Sequence, residues 1–275
     1  MEFLKLTLFL CFAGAFIIVP SQAKTWLRAD GRSDSTYNLI NSVLGGTAVE
    51  VPDCAHSGYG PHITQRTDTE LDRPVFAFHA HVAQDNDRCI NFDRQRIEIK
   101  TYDPSPSGLK GYQGETVTLS WNIRLNSQFQ ASSKFTHLHQ LKAKGGDDSL
   151  PLITMTARQR GSSNILEVIY TGRDGNARVL QSEDLSVFAG KWVHAKEEVT
   201  YSSSGKYSLV LSRTDNGQHL MTVTATNIDL WRDGTEFIRP KWGIYRSLLE
   251  SSSLRDEHVY FDNFCLAKGT SDKCT

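Results

Sequence analysis

The chain reads as an all-β protein, an antiparallel β-sandwich, and three observations carry that reading. Short runs rich in β-branched and aromatic residues recur from about residue 74 onward at spacings of roughly 8 to 15 residues. The dipeptides Asp174-Gly175, Ser204-Gly205 and Asn216-Gly217 each follow one such run and precede another, where a tight hairpin needs positive φ. Helix-like patterning is confined to residues 35–44, closed by Gly45-Gly46, too short to set the class.

The candidate strands are 75–82, 95–102, 115–125, 136–142, 152–158, 165–171, 192–201, 207–214, 219–227, 241–247 and 259–266. Ahead of them, residues 1–23 read as a signal peptide: Lys5, an apolar run over 6–19, then small residues at Ser21 and Ala23. That run is shorter than the roughly 20 apolar residues a membrane span needs, and no other stretch comes near it. A secreted mature chain is therefore expected, one domain over 24–275, monomeric and without a membrane segment. A length near 250 residues is ample for a core that folds without staples.

Cys11 leaves with the signal peptide, and an even set remains: Cys54, Cys89, Cys265 and Cys274. In an oxidising compartment this parity predicts two disulfides, with three possible pairings. Cys54 with Cys89 would pin the N-terminal segment, and Cys265 with Cys274 the C-terminal tail. Zinc is the rival use, but the chain has no C-x-x-C and no compact Cys/His cluster in sequence. A formal net charge of -1 gives no general attraction to nucleic acid or to an anionic surface, so any basic site must be local.

Four segments carry chemistry. Over 94–100, alternation puts Ile97 and Ile99 on one face and Arg94, Arg96, Glu98 and Lys100 on the other, either a solvated face or a binding floor. Over 136–142, His137 and His139 fall on one face by parity, with Leu138, Gln140 and Lys142 opposite. Two such histidines can hold a ligand or a metal, or be satisfied polar groups beneath a loop. Over 239–248, Lys241, Gly243, Tyr245 and Ser247 share a face, opposite Trp242 and Ile244. Glycine in mid-strand implies that something approaches the backbone closely, a sugar ring between Lys241 and Tyr245 being one option and a plain bulge the other. His79 and His81 lie on the polar side of the 75–82 strand, facing solvent or adding an imidazole to the same floor.

Together the first three segments resemble the signature strands of the jelly-roll polysaccharide lyases, of the alginate-lyase and glucuronan-lyase type with a concanavalin A-like sandwich. Arg96-Ile97-Glu98-Ile99-Lys100 is similar to R-[ST]-E-L-R, with Lys100 for the final Arg. His137-Leu138-His139 is similar to Q-[IV]-H, with His137 where Gln stands and Gln140 displaced by one. Lys241-Trp242-Gly243-Ile244-Tyr245 is similar to the K-A-G-x-Y part of Y-F-K-A-G-x-Y-x-Q, without its final Gln.

The resemblance implies a jelly-roll fold and β-elimination on a uronic-acid polymer, with no cofactor and no metal. A cation or amide neutralises the carboxylate so that the C5 proton becomes acidic, a role for Arg96 with Gln140 or His137. His139 or His81 would take the proton, and Tyr245 would protonate the leaving oxygen or serve as both base and acid. Arg94, Glu98, Lys100, His137 and Lys241 complete the candidate substrate-binding set. Two other functions fit the same fold: a lectin-like module that binds a glycan without cutting it, and a glycoside hydrolase, which needs a carboxylate pair. For hydrolysis Glu98 is one candidate, but no E-x-D-x-x-E type strand supplies a pair.

Overall fold

The computed structural model describes residues 24–270 and Cys274, so the expected signal peptide lies outside the described residues. In chain order the elements are β1 (Thr25–Leu27), α1 (Thr36–Leu44), β2 (Val49–Glu50), β3 (Ile63–Asp68), β4 (Arg73–Ala80), β5 (Arg94–Lys100), β6 (Thr116–Leu125) and β7 (Thr136–Lys144). There follow β8 (Ile153–Arg160), β9 (Ser163–Thr171), β10 (Ala177–Asp184), β11 (Trp192–Thr200), β12 (Gly205–Arg213), β13 (His219–Ile228), β14 (Phe237–Ser247) and β15 (Glu257–Lys268).

These strands make two antiparallel sheets. One is eight-stranded, ordered β13-β12-β11-β6-β15-β4-β3 with β1 pairing to β15; the other is seven-stranded, ordered β10-β9-β8-β7-β14-β5-β2. Each sheet turns one set of alternate side chains inward, and the two sets meet in a single apolar core. Trp121 of β6 meets Trp242 of β14 across it, with ring centroids 5.9 Å apart, and Phe264 of β15 lies 5.2 Å from Trp242. The predicted sandwich is thus present, and every predicted strand overlaps an observed one. Strands β3 and β10 are outside the expected set: ITQRTD and ARVLQSED are too polar to show an apolar alternation, and both are edge strands, β10 with most of its length exposed.

Gly175 and Gly217 take positive φ at their hairpins, whereas Gly205 does not. A Cβ at Gly205 would lie 2.5 Å from the Thr200 carbonyl, so there glycine permits close backbone approach rather than a left-handed turn. Both expected disulfides form: Cys54–Cys89 with Cα atoms 6.3 Å apart, and Cys265–Cys274 at 5.7 Å. The first joins the segment before β3 to the one before β5, and the second fastens the C-terminal segment to β15.

Candidate active site

The floor of the site is built by three adjacent strands, β5, β14 and β7, on the outer face of the seven-stranded sheet. Registry sets its rungs: Lys100, Lys241 and Gln140 lie abreast, and so do Arg96, Tyr245 and His137. These residues, with Glu50, Arg88, Arg94, Phe135, Lys142 and Arg239, line a pocket of about 440 Å³. Alternation on β5 and β14 is regular, so Ile97, Ile99, Trp242 and Ile244 are buried in the core beneath.

On β7 the alternation breaks. One extra residue stands between His137 and His139 against β8, and β14 shifts register over the same stretch. This bulge resets the parity, so Leu138 and His139 both face inward and His137 joins Gln140 and Lys142 on the outside. Gly243 sits at the facing irregularity with φ +147°, and a Cβ there would come within 2.0 Å of the Ile97 carbonyl. What approaches the backbone of Gly243 is therefore β5, not a sugar.

Cations crowd the pocket, but most are already paired. Lys241 Nζ lies 2.5 Å from Glu50 and 2.8 Å from Glu98, while Lys100 Nζ and Arg88 Nη1 each lie 2.7 Å from Glu50. Arg96 binds Asp87 through Nε at 3.0 Å and Glu98 through Nη1. Burial alone would raise the Glu50 and Glu98 carboxyls, but Lys241 and Arg96 outweigh it and hold both below the usual carboxylate range.

Lys142 and Arg239 differ: among the described residues neither makes an ion pair. Lys142 Nζ donates only to the Ser149 carbonyl at 3.4 Å, and Arg239 Nε is buried with no partner. Burial, then the charges of Lys241 and Arg239, bring the Lys142 ammonium down to about 8. Two cations are thus left facing the pocket with unspent charge.

At the other rung, the Tyr245 hydroxyl accepts a hydrogen bond from Arg94 Nη1 at 3.1 Å, and the Arg96 guanidinium lies 3.6 Å from its ring centroid. Since that hydroxyl accepts from Arg94, its own proton is free to be given elsewhere. His137 stands 5.9 Å from Tyr245, ring to ring, with Phe135 stacked on it at 4.9 Å. Its Nδ1 lies 2.8 Å from Thr156 Oγ1, which donates onward to Thr154, so Nδ1 carries the proton and Nε2 the lone pair. Burial, opposed by Glu98 and reinforced by Arg158, Arg96 and Lys241, lowers the His137 pKa to about 3 and keeps the ring neutral.

Three expected site residues are placed elsewhere. His139 is fully buried between the sheets, with Nε2 3.0 Å from Glu197 of β11, Nδ1 2.9 Å from the Lys241 carbonyl, and Trp121 and Trp242 against its ring. The bulge turned it inward, and it bridges the two sheets. Replacing it with alanine strands the Glu197 carboxylate in the core, so His139→Ala is expected to cost about 3–5 kcal/mol in denaturant unfolding. A loss under about 1 kcal/mol would remove this bridging role.

His81 directly follows β4, a strand of the other sheet, and its ring turns to Asp85 at 3.1 Å rather than to the floor. His79 likewise bonds Thr64 at 2.8 Å. Glu98 is fully buried and taken up by Arg96, Lys241 and Gln140, so it holds the floor cations rather than meeting a ligand. Conversely, Arg239 lines the pocket by the same alternation that placed Lys241 and Tyr245, and it pairs across to Lys142. That signal was present in the sequence. Glu50, Asp87 and Arg88 come from the two-residue β2 and from the segment before β5, where no periodicity marks them.

The structure is similar to several solved polysaccharide lyases, at identities that speak to fold alone. The marine PL-14 alginate lyase from Aplysia kurodai matches with a TM-score of 0.58 at 12% identity, over 89% of this chain and 98% of that one. A family 7 alginate lyase, A1-II′, in complex with product gives 0.54 at 16%, over 80% and 94%. The endo-β-1,4-glucuronan lyase from the fungus Trichoderma reesei gives 0.52 at 13%, over 74% and 86%. A comparison of the sequence with curated proteins returns no match. The family described as polysaccharide lyase matches residues 45–265, which is most of the chain and spans both sheets of the sandwich, and this protein belongs to that family.

Proposed function

We propose that the protein cuts a uronic-acid polysaccharide by β-elimination in this pocket, with His137 and Tyr245 moving the protons. The observation that carries the reading is the rung of Arg96, Tyr245 and His137, a free phenol proton and a neutral imidazole lone pair side by side, in a pocket whose floor also carries the unpaired cations Lys142 and Arg239. Arg96, on the same rung as Tyr245 and His137, stabilises the charge that builds on the uronate carboxylate as the C5 proton leaves, while Lys142 and Arg239, further along the floor, hold the carboxylate of a neighbouring uronate. His137 Nε2 accepts that proton. The C5–H electrons form the C4–C5 double bond, the C4–O4 bond breaks, and O4 takes the Tyr245 proton.

A pKa near 3 makes His137 a weak base before substrate binds. Burial is the main cause of that depression, and the arriving carboxylate offsets the part added by Arg158, Arg96 and Lys241, which raises the basicity of the ring. Gln140 donates its amide to Glu98 and so holds the Glu98 carboxylate beneath Arg96 and Lys241. The neighbours named above act on glucuronan and alginate, both uronate polymers, which supports an anionic substrate. Hydrolysis is disfavoured by charge: Glu50 and Glu98 are held ionised, so neither can serve as the protonated acid that a glycosidase requires.

Incubation with polyglucuronate, alginate, pectate and glycosaminoglycans tests the reading, because elimination leaves a conjugated, ultraviolet-absorbing uronate. Growth of that absorbance on one polymer is expected. Binding without it would make the protein a lectin-like module.

The pH profile follows from the same groups. Lys142 is charged below about 8 and neutral above, so kcat/KM on an anionic polymer is expected to fall as pH rises through that value. Lys142→Ala should abolish this alkaline limb. His137 is neutral well below the ordinary histidine range, so no acid limb near 6.5 should appear. A limb near 6.5 that His137→Gln removes would contradict the assignment.

A further inference from the structure

Away from the pocket, three histidines converge on one carboxylate. His56 Nδ1 and His62 Nε2 lie 3.1 and 3.0 Å from Asp85 Oδ1, and His81 Nδ1 lies 3.1 Å from Asp85 Oδ2. One donor atom from each of the four residues falls within 4.8 Å of the others. A tetrahedral ion bound at about 2.0–2.2 Å sets its ligand atoms about 3.3 Å apart, so the His56 and His62 contacts to Asp85 Oδ1 already have that spacing, and the remaining edges, none beyond 4.8 Å, close by side-chain rotation.

The surroundings are those of a metal centre. His62, fully buried, presents Nε2 to the cluster while its Nδ1 lies 2.7 Å from Asp53, and Asp53 in turn accepts from the Tyr37 hydroxyl at 2.9 Å. A carboxylate behind a histidine in this way fixes the tautomer that leaves the other nitrogen free to ligate. His81 keeps 12% and His56 23% of the side chain exposed, which gives an entry path, while Asp85 is sealed.

We propose that His56, His62, His81 and Asp85 bind one divalent transition ion of the zinc type. Imidazole nitrogens with one carboxylate favour such an ion over calcium or magnesium, which prefer oxygen. Four protein ligands leave no open position, so the site is a clasp rather than a reaction centre. It ties the connection between β2 and β3 to the connection between β4 and β5, which the Cys54–Cys89 disulfide also joins. Two residues beyond Asp85, Asp87 reaches Arg96 in the pocket, so the clasp anchors the support of the catalytic rung. Sequence spacing hid it, because the ligands are scattered over 30 positions and belong to turns rather than to one strand.

The test uses tag-free full chain stripped with a chelator, titrated with zinc alone and then with cobalt. One equivalent of zinc is expected, along with the intense visible absorption of tetrahedral cobalt. His81→Ala and His56→Ala should each weaken zinc binding by about 100-fold or more, and Asp53→Asn by roughly 10- to 100-fold. If His81→Ala does not fold, His56→Gln, at the most exposed ligand, carries the comparison. Less than about a tenth of an equivalent bound by folded wild-type chain, an octahedral cobalt spectrum, or unchanged affinity in the folded variants would overturn the site, leaving a hydrogen-bonded network only.

Discussion

Tyr245→Phe is expected to lower turnover by roughly 100-fold or more while leaving KM and thermal stability near wild type. The ring keeps its packing against Phe135 and the Arg96 guanidinium, since both contacts are made by carbon atoms. Only the hydroxyl goes, and with it the proton that O4 must receive as its bond to C4 breaks. The lost ground-state contact is one hydrogen bond from Arg94, which remains paired with Asp93 at 2.7 Å. An effect confined to kcat is the signature of an interaction made in the transition state. Near-normal turnover on an active polymer would take Tyr245 out of the mechanism.

His137→Ala is expected to match it, with turnover down by roughly 100-fold or more, because among the described residues no other imidazole lines the pocket to take the C5 proton. Its structural cost should be small: the ring is partly exposed at the surface of the sheet, and its bond to Thr156 is replaceable by water. The contrast with His139→Ala is the informative one. Two residues apart, one substitution should remove activity from a stable protein and the other should destabilise the protein through its core. If the two effects were exchanged, the bulge in β7 would be misassigned and His139 would be the residue that faces substrate.

How much of this was legible in the sequence follows from where the chain is regular. Period-two alternation located most strands and brought Arg94, Arg96, Lys100, Lys241 and Tyr245 to one face, because β5 and β14 pair without interruption between them. The same rule misplaced His137 and His139, since a bulge inserts a residue into the ladder and leaves no mark on composition. His81 failed for a different reason. Alternation reports which side of a strand a residue occupies but not to which sheet the strand belongs, and β4 lies in the sheet opposite the floor. Lys142 and Arg239 were within reach of the pattern. What could not be read was that their neighbours' charges are consumed: Glu50 and Asp87 arrive from the two-residue β2 and from the segment before β5, and Glu98, though on the same face of β5, is sunk beneath the cations it pairs with.

Whether this pocket eliminates, binds or hydrolyses is written in the chemistry of the new chain ends. The protein is incubated with polyglucuronate and with alginate in water enriched in heavy oxygen, and the oligosaccharide products are weighed by mass spectrometry. Elimination predicts non-reducing ends one water lighter than hydrolysis would leave, with no heavy oxygen fixed at cleavage beyond the ordinary exchange of the reducing end, and with ultraviolet absorbance rising in step with the number of new ends. Saturated ends carrying one added water per cut, formed by a preparation from which His137→Ala and Tyr245→Phe remove no activity, would contradict the account.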